Sequence, residues 1–153
     1  MNIPVHEWEW FGSPGHLIVA RDCRFHLCTL IGEYLVSTVG QYLPDSQVRE
    51  ILATTRGIAL DGRGDARLAD YMTKIGYEEI GSGRLFETMV FKTTGERCTA
   101  KDCACGLPTI DPSDLLCKGY MTAGAATKGH RAICARVAAG HITDDDEIHE
   151  STR

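Results

Sequence analysis

A cysteine-rich loop about two thirds of the way along the chain places the strongest constraint on how it can fold. The segment from Cys98 to Pro108 reads CTAKDCACGLP and carries three thiols within eight residues. Its small and turn-forming residues disfavour both helix and strand. Clustered thiols that do not follow the spacing of a secreted disulfide scaffold are typical of metal ligands. We therefore predict a loop whose shape is set by a zinc ion.

Four ligands are needed for a structural zinc site, each a thiolate or an imidazole at the corner of a tetrahedron. Cys98, Cys103 and Cys105 are near enough in the chain to supply three of them. The fourth is expected from a rigid element, and helical spacing places His130 and Cys134 on one face of a later helix. Either residue would complete the site. The spacing C-x4-C-x-C is not a widely shared zinc-finger pattern, and reduced, unligated thiols are the alternative.

A second set of candidate ligands lies nearer the N-terminus. Cys23 and His26 form a C-x2-H pair which, with His130 and Cys134, has the spacing of a split zinc site. Residues three apart on a regular strand point to opposite sides, so both could bind one metal only if the strand begins after Cys23. The alternative is that these cysteines are small buried hydrophobic residues, and Cys117 is predicted to be one.

Length and composition predict one domain without a membrane span. The chain has 153 residues, of which 43% are hydrophobic, enough for one sizeable core. Its apolar runs are far shorter than the roughly 20 residues that a membrane helix needs. The N-terminus also lacks the charged and apolar regions of a secretion signal, which predicts a cytoplasmic protein.

The negative charge is concentrated at the C-terminus. The net charge is −5, and residues 144–153 carry five acids and one base, which leaves −1 for residues 1–143. A nearly neutral body lacks the basic field that supplies most nucleic-acid affinity, so a nucleic-acid partner is not expected. We predict a single domain over residues 1–143 and a solvated acidic tail over residues 144–153.

Hydrophobic patterns predict an α+β fold. Two β-rich segments, Arg24 to Leu30 and Tyr34 to Val39, are joined across Gly32-Glu33 as a hairpin. Further strands and helices are expected on both sides of this hairpin. Strands are predicted around Trp8 and Trp10 and over His16 to Ala20, Tyr77 to Ile80 and Leu85 to Lys92, and helices after Pro44-Asp45-Ser46, from Asp65 to Ile75 and from about Thr122 to Ala139.

Two of these predictions concern where side chains point. The first helix carries Val48, Ile51 and Leu52 at helical spacing, which predicts an apolar stripe against the core. Glu78, Glu79 and Glu87 near Arg84 are expected to be charges on the exposed face of an edge hairpin rather than a catalytic acid pair. The complete prediction is one antiparallel sheet of hairpins with about three helices and a cysteine-rich zinc loop.

Three stretches together resemble small uncharacterised proteins of tailed bacteriophages and prophages. They are CRFHLCTLIGEYLVSTVG, GYEEIGSGRLFETMVF, and C-x4-C-x-C-G-L-P followed by G-H-x3-C. The resemblance implies a product made in the cytoplasm of an infected bacterium, with a host or phage protein as its partner. It implies no catalytic residues.

Two functional hypotheses follow from these features. The first is a zinc-stabilised interaction module, as a phage factor that binds a host protein. The second is a small zinc- or thiol-dependent enzyme that acts on a nucleotide or a protein, with Cys28 and His26, or Cys134 and His130, as thiol and base. The motifs H-E-x-x-H and G-x-S-x-G are absent from the sequence.

Overall fold

The structure, a computed structural model, describes residues 8–11, 22–80, 83–99, 106, 108–142 and 148–151. Within them lie six strands and three helices. In chain order these are β1 (Trp8–Phe11), β2 (Cys23–Ile31), β3 (Tyr34–Tyr42), α1 (Ser46–Thr55), α2 (Asp65–Lys74), β4 (Phe86–Arg97), β5 (Pro108–Tyr120), α3 (Ala123–Ala138) and β6 (Ile148–Ser151).

The strands form one sheet in the order in which they occur along the chain. β1 to β5 pair antiparallel with their neighbours, and β6 runs parallel to β5. The predicted hairpin is confirmed, because Ile31 pairs with Tyr34 across the turn. Gly32 at this turn has a φ of 58°, a left-handed conformation that glycine adopts at little steric cost. The predicted α+β class is therefore confirmed.

Helix α3 covers one face of the sheet. Thr122 caps the helix by accepting a hydrogen bond of 3.1 Å from the backbone N–H of Ala125. The inward face of α3 was predicted correctly, and it packs on apolar side chains from the four central strands. The buried cluster includes Ile133, Cys134 and Val137 of the helix with Ile31, Val36, Val90 and Leu116 of the sheet. No helix in the described part of the chain is long and apolar enough to cross a membrane.

Strand β5 was not predicted. No strand was expected between the cysteine-rich loop and the helix from about Thr122, but Pro112, Ser113 and Asp114 lie inside β5. The ladder between β4 and β5 shifts register around Phe91 and Thr93. An irregular ladder leaves backbone groups unpaired, so it tolerates a proline that has no N–H to donate.

Two further differences concern segments expected to have other conformations. The predicted strand from Tyr77 to Ile80 is reduced to a single bridge between Glu78 and Tyr42. The acidic tail was expected to be solvated, yet its residues Ile148–Ser151 pair with β5 as β6. The strand predicted over His16 to Ala20 lies outside the described residues.

Candidate functional site

His130 lies in the core beneath α3 and is bonded to threonines of two strands. Its Nε2 is 2.8 Å from Thr29 Oγ1, and its Nδ1 is 2.7 Å from Thr38 Oγ1. Thr38 Oγ1 is also 2.5 Å from Thr88 Oγ1 on β4. A neutral imidazole has one donor and one acceptor, and both are used here. A metal at either nitrogen would have to displace one of these hydrogen bonds.

The other ligands predicted for the split site lie in different parts of the fold. Cys134 belongs to the core cluster under α3 and is hydrogen-bonded to Thr29. Cys23 packs instead against Val39, in a separate cluster. His26 is an odd number of residues from Thr29 on β2, so the two side chains point to opposite faces of the sheet. The structure therefore does not bring the four predicted ligands together.

Cys98 is also far from His130. It follows the end of β4 and lies ten residues after Thr88. Thr88 is hydrogen-bonded to Thr38, which is hydrogen-bonded to His130. A strand rises about 3.3 Å per residue, so this stretch spans about 30 Å. Cys103 and Cys105 lie outside the described residues. Within the residues that the structure describes, no group of three or more His, Cys, Asp or Glu side chains is arranged to hold a metal.

Four cysteines are buried as neutral thiols. Burial raises the pKa of Cys23, Cys117 and Cys134 to about 11 each and that of Cys28 to about 12. The thiolate is the nucleophilic form, and these side chains hold almost none of it at neutral pH. Thiol catalysis at these four positions therefore receives no support.

Helix α1 is rotated relative to the prediction, and of the predicted stripe only Leu52 is half-buried. Val48 and Ile51 were expected to face the core, but they are 38% and 63% exposed. The one fully buried residue of α1 is Ala53. We call the exposed side the outer face of α1. It consists of Gln47, Val48, Ile51, Thr54 and Thr55, all of them exposed and none of them charged.

The inner side of α1 faces α2 across a cavity of about 210 Å³. We call it the α1–α2 cleft. Its walls include Ser46, Arg49, Glu50, Leu60, Arg67 and Tyr71. Side chains on a helix are about 100° apart, so Ser46 and Arg49 lie on the side of α1 away from Ile51, and Glu50 lies on the flank between the two sides. The outer face and the cleft are thus two separate surfaces of one helix.

A buried carboxylate connects both helices to the sheet. Arg56, at the end of α1, donates from Nη1 and Nη2 to the two carboxylate oxygens of Glu78, over 3.1 and 2.8 Å. The hydroxyl of Tyr71 on α2 donates to the same carboxylate. The backbone N–H of Glu78 donates to the carbonyl oxygen of Tyr42 on β3 over 2.9 Å. Glu78 is only 8% exposed, so the prediction of an exposed edge charge was wrong.

Sequence reasoning did not single out Arg49 or Arg67. Arg67 pairs with Glu50 over 3.1 Å, and its Nη2 donates to the carbonyl oxygen of Leu60 over 3.3 Å. The guanidinium carbon of Arg49 is 6.0 Å from the centre of the Tyr71 ring, within the range of a cation–π contact. One signal was present in the sequence, since Ser46, Arg49, Glu50 and Ala53 share a helical face. That face was assumed to be exposed because it is polar.

Comparisons with models of protein families, with curated proteins and with solved structures found no match to this chain. The resemblance to bacteriophage proteins therefore stays a prediction. The outer face of α1 and the α1–α2 cleft are the two surfaces that could bind another molecule.

Proposed function

We propose that this protein is an interaction module that inserts the outer face of α1 into an apolar groove of a partner protein. The observation that carries the proposal is Ile51, an isoleucine in the middle of a regular helix with 63% of its surface exposed. Val48 lies one turn before it on the same face. An apolar pair at this spacing is how amphipathic helices anchor in grooves.

The absence of charge around Ile51 supports an interface. Interface centres are depleted in charged residues, whereas exposed helix faces are usually rich in them. The charged residues of α1, Arg49 and Glu50, both line the cleft, and Glu50 is also 53% exposed. The partner groove is therefore expected to be uncharged at its centre.

The helix is held in a form suited to docking. The Asp45 carboxylate caps α1 by accepting hydrogen bonds from the backbone N–H groups of Gln47 and Val48, over 3.0 and 3.1 Å. Arg56 ties the other end of the helix to Glu78. A helix that is fixed before binding loses less conformational entropy when it docks. If the bacteriophage resemblance holds, the partner is a host protein in the bacterial cytoplasm.

Replacing Ile51 by glutamate is expected to abolish retention of the partner, because a buried charge replaces the central apolar contact. The measurement is affinity capture from bacterial lysate, followed by titration of the captured protein against purified wild type and variants. Met121→Glu is the matched control, since Met121 is 42% exposed but lies outside α1. A partner that binds Ile51→Glu as tightly as wild type would place the interface elsewhere.

Zinc stabilisation remains part of the proposal, with Cys98, Cys103 and Cys105 as three of the four ligands. We expect purified protein to contain about one zinc ion per chain, with Cys98→Ser lowering that content because a structural site needs all of its ligands. Cys117→Ser is the control, since Cys117 is a buried residue of β5. The measurement is metal analysis of protein purified without added metal. Zinc-free wild-type protein would remove this part of the proposal.

A further inference from the structure

The α1–α2 cleft is lined by both apolar and charged side chains. Tyr71, which is fully buried, is one of the residues that line it. Leu60 and Leu68 add further apolar surface. Charged groups beside such walls are screened less by water than groups on an open surface. The cleft can therefore give an ionic contact more weight than an exposed salt bridge would have.

Arg67 lines this cleft with its guanidinium group. Its Nη1 and Nη2 contact Glu50 and the carbonyl oxygen of Leu60, but its Nε is buried and has no hydrogen-bond partner. A buried N–H without a partner costs free energy, so such groups in native proteins call for an explanation. Because this Nε has almost no accessible surface, a ligand in the cleft would meet the Nη side of the guanidinium group.

Arg49 brings an unused positive charge. Its guanidinium group stacks near the Tyr71 ring, and its side chain makes no hydrogen bond or ion pair with any residue that the structure describes. The lining residues of the cleft include two arginines and one glutamate, Glu50, which is paired with Arg67. The cleft therefore has a net charge of +1, which one monoanion would neutralise.

We propose that the α1–α2 cleft binds a carboxylate group. Planar guanidinium groups suit carboxylates because two N–H donors can contact two oxygens at once. A doubly charged phosphate would leave an excess negative charge beside Glu50, whereas a carboxylate would not. The volume of about 210 Å³ is smaller than the roughly 300 to 1,000 Å³ of pockets for drug-sized ligands, so the occupant is a short acidic group. This site lies opposite the outer face of α1 and does not depend on the proposed function.

The inference can be tested by following the side-chain Nε–H signal of Arg67 by NMR in the full-length protein. Acetate and a blocked peptide with a single glutamate are the two carboxylate probes, and inorganic phosphate is the competitor. Saturable shifts are expected with a Kd on the order of millimolar. Shifts with acetate alone identify a free organic acid as the ligand, and shifts with the peptide alone identify an acidic segment of a protein.

Arg49→Gln is expected to weaken carboxylate binding by about tenfold or more, because one charge-assisted contact is lost. Arg63→Gln is the matched control: it removes the same charge from an exposed arginine that does not line the cleft, and we expect Kd to change by less than about twofold. Backbone amide spectra establish that both variants are folded. Three results would each overturn the proposal: no saturable shift, tighter binding of phosphate than of either carboxylate, or equal effects of the two substitutions.

Discussion

Lowering the pH from about 6.5 to about 4 is expected to cost the folded protein about 3 kcal/mol through His130 alone. The pKa of His130 is lowered from 6.5 to about 4, mainly by burial and in part by the nearby positive charge of Arg131. The ring is fully buried and is held by Thr29 and Thr38.

The direction of this effect follows from which state binds the proton. Above pH 6.5 His130 is neutral in both the folded and the unfolded chain, so the full stability is present. Between pH 6.5 and about 4 the unfolded chain binds a proton that the folded chain does not, and stability falls as the pH falls. Below about pH 4 both states are protonated, and His130 contributes no further change.

The measurement is urea unfolding of wild type and His130→Leu at a series of pH values. Carboxylates also titrate in this range, so the informative quantity is the difference between the two proteins. We expect this difference to depend on pH, because leucine cannot titrate, while Thr29 keeps Cys134 and Thr38 keeps Thr88 as partners. His141→Leu removes an exposed histidine and is the control. Parallel pH profiles for wild type and His130→Leu would contradict the prediction.

His130 also shows how far the sequence could predict the site. Helical periodicity correctly placed His130, Ile133, Cys134 and Val137 on the buried face of α3. It could not say what the imidazole contacts, because Thr29, Thr38 and Thr88 come from three different strands. Threonine is common in strands for its β-branched shape, so nothing in a single sequence marks these three as polar partners. Ligand chemistry was assigned to a residue that the structure places in a core hydrogen-bond network.

Helix α1 shows a different limit. Its position was predicted because Asp45 is a strong N-cap residue, and that signal is local. Which side faces inward depends on the neighbouring elements, and here Tyr71 of α2 and the small Ala53 occupy the interior. An amphipathic helix usually turns its apolar side toward the core, and α1 departs from this rule at Val48 and Ile51. Such departures tend to occur at functional sites, which supports binding roles for Ile51 and Arg49.

Replacing Glu78 by alanine is expected to lower the free energy of unfolding by about 2–3 kcal/mol, because the buried hydroxyl of Tyr71 loses its acceptor. Burial and this hydrogen bond raise the pKa of Tyr71 above its ordinary value, so its hydroxyl remains a donor at every pH used for the comparison. Arg56 is 46% exposed, so its ion pair with Glu78 adds little to this figure. Tyr71→Phe removes the donor instead and is expected to cost about 1 kcal/mol.

The loss should be local as well as global, because Glu78 joins α1, α2 and β3. Hydrogen exchange measured by mass spectrometry is expected to speed up across α1 and α2 in Glu78→Ala, with the central strands unchanged. Glu79→Ala is the control, since Glu79 is an exposed neighbour whose side chain accepts one exposed hydrogen bond, from the backbone N–H of Gly83. Unchanged exchange in both helices would mean that Glu78 does not hold them to the sheet.

The same substitution connects the two proposed surfaces. The outer face of α1 and the α1–α2 cleft both depend on how these helices are held, yet Glu78 belongs to neither. Partner binding and carboxylate binding should therefore weaken together in Glu78→Ala, whereas Ile51→Glu should affect only the partner and Arg49→Gln only the carboxylate. If Glu78→Ala loosened the helices but left both affinities at wild-type values, neither surface would need the fixed helices on which the two proposals depend.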